Sequence, residues 1–183
     1  MLNAPLPGTL DVRKAASRGV TVQGSLQPRD LPRFRELLAG DDGEIQASLD
    51  LSRDEEGRFV LHIVIEARVS VICQRCLRPM PLSLRSDSEL AVVWTDEQAR
   101  HLPSHLDPLV QGEEECDLRA LVTEELILAL PPFSYHEQAD CNTLLAEYAA
   151  PTEAEKEADD GAEKRPNPFD ILAQLKRGDT HQE

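Results

Sequence analysis

The stretch RFVLHIVIEARVSVIC constrains the fold more than any other part of this 183-residue chain. Phe59, Leu61, Ile63, Ile65, Ala67, Val69, Val71 and Cys73 all stand at odd positions. The even positions mix Val60, His62, Val64, Glu66, Arg68, Ser70 and Ile72. Successive side chains of a strand point to opposite sides of its sheet, so this order predicts one strand with a dry face and a mixed face. It far exceeds the usual ~5–6 residues, which predicts a bulge or bend near Glu66–Arg68. PMPLSLRSDSELAVVW carries the alternation on through Met80, Leu82, Leu84, Leu90, Val92 and Trp94. CQRCLRP, Cys73 to Pro79, then reads as the turn between two antiparallel strands. Val20 to Leu26 (VTVQGSL) reads as a further strand, and GEIQASLDLS as another, with Ile45, Ala47, Leu49 and Leu51 on one face.

Helical signals are fewer. DLPRFRELLAG predicts a short helix with Asp30 as cap, Pro32 in the first turn and Gly40 at its close. TDEQARHLP predicts another, capped by Thr95, and LPSHLDPLVQGEEEC a loop holding a short strand. DLRALVTEELILAL is the clearest helix. Asp117 caps it, Pro131-Pro132 stops it, and Leu118, Leu121, Val122, Leu126, Ala129 and Leu130 form its apolar stripe. The expected fold class is α+β: a curved, mostly antiparallel sheet with the long helix packed on it, over residues 10–148. The acidic stretch 149–165 has no large apolar group to offset its ordering entropy and predicts a disordered linker. PNPFDILAQLKRG predicts a terminal helix over 166–178, with Asn167 at the N-cap, Pro168 at N1, and Phe169, Leu172, Ala173 and Leu175 on its apolar side. So short a helix must dock on its own domain or on a partner, where Phe169 and Leu172 would make the contact.

Charge bounds the partners. The chain has 34 acidic against 19 basic residues, formally −15. Phosphate backbones select basic surfaces, so the chain as a whole is repelled by nucleic acid; it acts through a local basic patch or a basic protein partner, and no DNA partner is expected. Aromatics at 4% argue against a stacking platform for single strands. No run of ~18 apolar residues predicts a membrane span. MLNAPLPGTLDVRK has no apolar h-region, so export is not expected, the compartment reads as cytoplasmic and reducing, and a structural disulfide is disfavoured.

The four cysteines are Cys73, Cys76, Cys116 and Cys141. Zinc takes four ligands, and CQRC supplies two. YHEQADC adds His136 and Cys141 as an H-x₄-C pair, making a possible Cys₃His site if the fold brings the halves together. Spacing alone favours reduced, partly buried thiols over zinc, and zinc over redox chemistry. A redox pair sits where a strand enters a helix N-terminus, whereas this pair sits between strands. Arg75, Arg78 and Arg85 crowd the same sequence region and read as a phosphate contact or as an ordinary solvated turn; three arginines are a small footprint. His62, His101 and His105 read as surface or satisfied histidines, and Cys116, beside an acidic run, as a poor nucleophile. No P-loop, G-x-S-x-G or H-E-x-x-H motif is present.

CQRCLRPMPLSL, WTDEQARHLP, the helix ending in ILALPPFSYHE, its trailing Cys141 and the closing PNPFDILAQLK occur in this order. Together they resemble the bacterial YceD family, the large ribosomal RNA subunit accumulation proteins, from about Leu10 to Arg177. The resemblance implies a non-enzymatic ribosome-biogenesis factor needed for 23S ribosomal RNA synthesis, processing or accumulation. Its partner would be a pre-large-subunit particle, met through 23S rRNA or a basic ribosomal protein. Cys73, Cys76, His136 and Cys141 match the family's cysteine and histidine positions, which brings zinc level with reduced thiols; Cys116 matches none. The competing class is a thiol- or zinc-dependent enzyme, or a redox protein, using the Cys73/Cys76 pair.

Overall fold

A computed structural model describes residues 4–138 and 141–142. The chain divides into two units, 1–141 and 142–183, and the elements below belong to the first. The predicted linker 149–165 and helix 166–178, with Phe169 and Leu172, lie outside the described residues.

In chain order the elements are β1 (Thr9–Leu10), α1 (Val12–Arg18), β2 (Thr21–Leu26), α2 (Pro32–Arg35), β3 (Gly43–Arg53), β4 (Phe59–Ile72), β5 (Pro79–Val93), α3 (Asp96–Ala99), β6 (Asp107–Val110), β7 (Cys116–Asp117) and α4 (Leu118–Ala129). Five strands form an open, curved sheet in the order β2-β3-β4-β5-β6. All neighbours are antiparallel except β5 and β6. The class is α+β, as the alternation predicts.

The period-2 pattern becomes a two-sided sheet. Leu61, Ile63, Ile65, Ala67, Val69, Val71 and Cys73 are buried, while Glu66, Arg68 and Ile72 are exposed. The dry face packs against α1 and α4 through Val12, Ala15, Ala16, Leu118, Val122 and Leu126. Each of the valines and leucines contributes ~1.5–3 kcal/mol by leaving water. The other face carries Glu44, Gln46, Glu66, Arg68, Arg85 and Asp87, as an antiparallel sheet with one solvated face allows.

The expected bulge near Glu66–Arg68 is absent. β4 pairs with β3 from Arg53–Phe59 to Gly43–Val69, and with β5 from Val60–Ala91 to Ile72–Pro79, in unbroken register. Its neighbours are long enough to satisfy its backbone groups along almost its whole length, so no residue is left to expel. Asp30 does not cap α2: it lies in a 3₁₀ turn, Pro28–Asp30, and its carboxylate accepts from the Gln27 N–H. α2 is only four residues long and ends well before Gly40.

The sequence reading also passed over α1, which Asp11 caps by accepting from Lys14 N–H and Gly19 closes with a φ of 64°. Arg13 on α1 latches one end of the sheet. Its guanidinium donates to the carbonyls of Val93, Gln111 and Gly112 and lies 3.4 Å from the Trp94 ring centre. At Gly24 the N-terminal segment crosses so closely that an added Cβ would meet Leu6 Cα at 2.5 Å.

α4 follows its sequence signals closely. Asp117 accepts from Arg119 and Ala120 N–H. Leu130, before Pro131, turns to a ψ of 128° and ends the helix, since the proline ring disfavours helical backbone one residue earlier. Ala129 and Leu130 are only partly covered, because they lie where the helix leaves the sheet. Glu125 takes a buried place on the stripe instead and accepts from the hydroxyls of Ser86 (2.8 Å) and Ser88 (2.7 Å).

Candidate metal centre

The turn between β4 and β5 is built around Cys73. It occupies an odd position just past β4, so it falls on the dry side and is 0% exposed. Its N–H donates to Arg78 O at 3.0 Å, and Leu77 N–H donates back to Cys73 O at 2.8 Å. Leu77 reverses the chain with a φ of 59°, in the region that favours glycine.

The turn folds its amides toward the first sulfur. Burial disfavours the Cys73 thiolate. The N–H groups of Cys76, His136 and Arg75, with the His136 side chain, outweigh that penalty and hold Cys73 at about 5.

The second half arrives from the end of α4. The proline pair directs the chain past the turn, where Gln74 N–H donates to the carbonyl of buried Ser134 at 2.9 Å. Arg75 donates to Gln138 O at 2.8 Å and faces the Tyr135 ring at 5.2 Å. These contacts deliver His136 and Cys141. Cys76 Sγ is 3.4 Å from His136 Nδ1, and Cys73 Sγ is 3.9 Å from Cys141 Sγ. All four donor atoms lie within 4.8 Å of one another. Burial, then hydrogen bonds to Cys76 and Cys73, raise the Cys141 thiol, so it keeps its proton where Cys73 loses one.

A tetrahedral zinc with Zn–S ~2.3 Å and Zn–N ~2.0 Å separates two sulfurs by about 3.8 Å and a sulfur from a nitrogen by about 3.5 Å. The two separations above are compatible with that geometry. Four protein donors leave no open position for substrate, which is the pattern of a structural site.

Other candidates fall elsewhere. Arg85 does not join Arg75 and Arg78: strand spacing carries it up β5 onto the solvated face, where it pairs with Glu66 at 2.8 Å and Asp87 at 2.9 Å. His62 pairs with Asp87 on the same face. His101 bonds Glu97 O. Cys116 is buried in the core; burial and then the Asp117 charge raise its thiol. Glu125 was missed, although its spacing from Leu118, Leu121 and Val122 puts it on the buried stripe.

A search of solved structures found no match. The family model described as "Large ribosomal RNA subunit accumulation protein YceD" matches residues 61–176, a span that contains all four donors. A protein of that name from Haemophilus influenzae is 31% identical over 178 residues, covering 97% of this chain and 99% of the relative. With a family model matched over more than half of its length, and a relative matched almost end to end, the chain belongs to the YceD family.

Proposed function

We propose that this protein is a non-enzymatic, cytoplasmic factor in the accumulation of large-subunit ribosomal RNA, acting during assembly of the subunit. The observation that carries this reading is the near end-to-end match to a relative named for that role. The architecture agrees with a binding protein. Its one cluster of metal-ligating groups among the described residues has four protein donors within 4.8 Å of one another, enough to fill a tetrahedral site. Zinc there would tie the β4–β5 turn to the segment after α4 and hold one end of the molecule rigid. Cys73, Cys76, His136 and Cys141 are its proposed ligands.

A formal charge of −15 directs the contact toward a basic ribosomal protein in the pre-large-subunit particle; direct contact with 23S rRNA would need a local basic patch. Arg75 and Arg78 stand at the turn as contact residues, with Phe169 and Leu172 as proposed partner contacts from the tail. Arg85 is already engaged by two carboxylates.

The competing reading, a thiol enzyme or redox protein, has one point in its favour, the low value of Cys73. Reactive thiols are also accessible, and Cys73 is fully enclosed.

The test is a deletion strain in which 23S rRNA and its precursors are followed on a sucrose gradient. The expected result is depleted mature 23S rRNA, restored by the wild-type chain, with the protein co-migrating with immature large-subunit particles. Normal rRNA in the deletion strain, with the protein only at the top of the gradient, would overturn the reading.

A further inference from the structure

Among the described residues, the end that carries the four donors also gathers a group of exposed large apolar side chains. Of these, Leu37, Ile72 and Leu77 line one groove here, and Phe133 and Tyr135 lie in the segment that follows α4. Leu37, Ile72, Leu77, Ile127, Leu130 and Pro131 line an open groove of about 420 Å³ between the β4–β5 turn and the end of α4. Phe133 and Tyr135 follow directly in the chain, their rings near-parallel at 10°. Soluble monomers do not usually collect such a surface without a use for it.

Leu77 makes the point sharply. Its φ of 59° suits glycine, and the side chain is 75% exposed. A leucine there is strained by ~1 kcal/mol relative to glycine and gains little burial in return. Its side chain serves nothing inside the described fold.

We propose that this groove is a docking site for an apolar side chain carried on a lysine- or arginine-flanked segment of a basic protein. The inference rests on the reading above that the chain works on the large subunit, and it names the surface and the class of partner. Charge selects the occupant. The chain is formally −15. Glu36, beside Leu37, and Glu137, after Tyr135, are exposed and make no ion pair among the described residues. Arg33 and Arg35, the bases nearest Leu37 in sequence, are already paired with Glu124 and Asp41. Arg78, next to Leu77, is exposed as well, so the rim is mixed in charge; the net acidity of the chain is what suits an apolar anchor with flanking cations and disfavours an RNA backbone.

The experiment places p-benzoylphenylalanine at position 77 of the full-length chain, with position 110 as control. Each is irradiated with RNA-free proteins extracted from large ribosomal subunits and, separately, with purified 23S rRNA. The expected result is a crosslink from position 77, absent from 110, to a discrete basic protein, weakened about tenfold or more by Leu37→Asp. Leu37 is half-exposed, so that substitution leaves the fold intact, checked by its melting curve. Crosslinking to rRNA alone, to a second copy of the chain, equally from both positions, undiminished by Leu37→Asp, or to nothing would overturn the inference. Complementation separates this failure from that of the function. If wild type and Leu37→Asp restore 23S rRNA equally, the groove is wrong and the function stands. If wild type has no effect on rRNA, the function is wrong, and the crosslink still decides the groove.

Discussion

The β4–β5 hairpin ends in two different ways. At the Val93–Trp94 end the protein closes itself: Arg13 donates to three backbone carbonyls and covers the Trp94 ring. At the Cys73–Arg78 end, three sulfurs and an imidazole nitrogen face one another at 3.4 to 3.9 Å where measured, joined by weak contacts. Sulfur hydrogen bonds are poor closures beside charged N–H donors to carbonyls. One end closes with its own side chains, although the buried Arg13 Nε finds no partner among the described residues, whereas the other has the donors for an ion. The two should therefore respond to different insults.

The largest difference is expected from the cysteines. Cys73→Ser with Cys76→Ser should abolish zinc binding and cost about 4 kcal/mol or more, since metal binding is folding energy. The melting temperature should drop by about 10–15 °C at ~2–4 °C per kcal/mol, with far-UV dichroism of the sheet retained below the transition. Unchanged melting would show that the knuckle end closes without metal.

Arg13→Ala attacks the opposite end. It removes the guanidinium bonds and the stack on Trp94 and should cost about 2–3 kcal/mol while leaving zinc content untouched. Arg13→Lys should recover little, because an ammonium cannot reproduce the planar fork. Urea melts of both variants beside zinc analysis test this; zinc loss in Arg13→Ala would couple the two ends and break the comparison.

As pH falls from 7, acid should act first on the knuckle end, before the carboxylates of Asp54 and Asp87, which their partners hold below the ordinary carboxylate value. Cys73 is depressed to about 5 from an ordinary 9.0. An acid depressed in the folded state adds stability that is whole above its unfolded value and lost as pH falls through the folded value. Protons and metal compete for the same sulfur, so zinc should be released as pH drops from 7 through about 5, read by a colorimetric chelator. Full retention at pH 4 would contradict the assignment. The smallest effect belongs to Arg85→Ala: its ion pairs are exposed, and the melting curve should be almost unchanged with zinc unaffected.

How much was legible follows from what each signal encodes. Period 2 specifies a face, so the sheet and the buried position of Cys73 could be read from one line of sequence. The meeting of His136 and Cys141 with CQRC was legible only as a possibility, because it needs the direction in which α4 returns. Arg85 was misplaced for a related reason: nearness in sequence to a turn is not nearness in space once the strand leaves it. α1 escaped because VRKAASR has too short an apolar pattern, although Asp11 and Gly19 mark both of its ends. The bulge was inferred from strand length alone, and only the lengths of its neighbours decide that question. Glu125 went unread because a carboxylate is not expected in a core, yet two serines on β5 supply the hydroxyl groups that let it stand there.

The most direct test is native mass spectrometry of the full-length chain purified without chelator, beside Cys73→Ser/Cys76→Ser and Cys116→Ser. The expected result is one zinc per chain in wild type and in Cys116→Ser, and none in the double variant. A folded wild-type chain that carries no zinc would contradict the assignment of this end of the molecule to a metal.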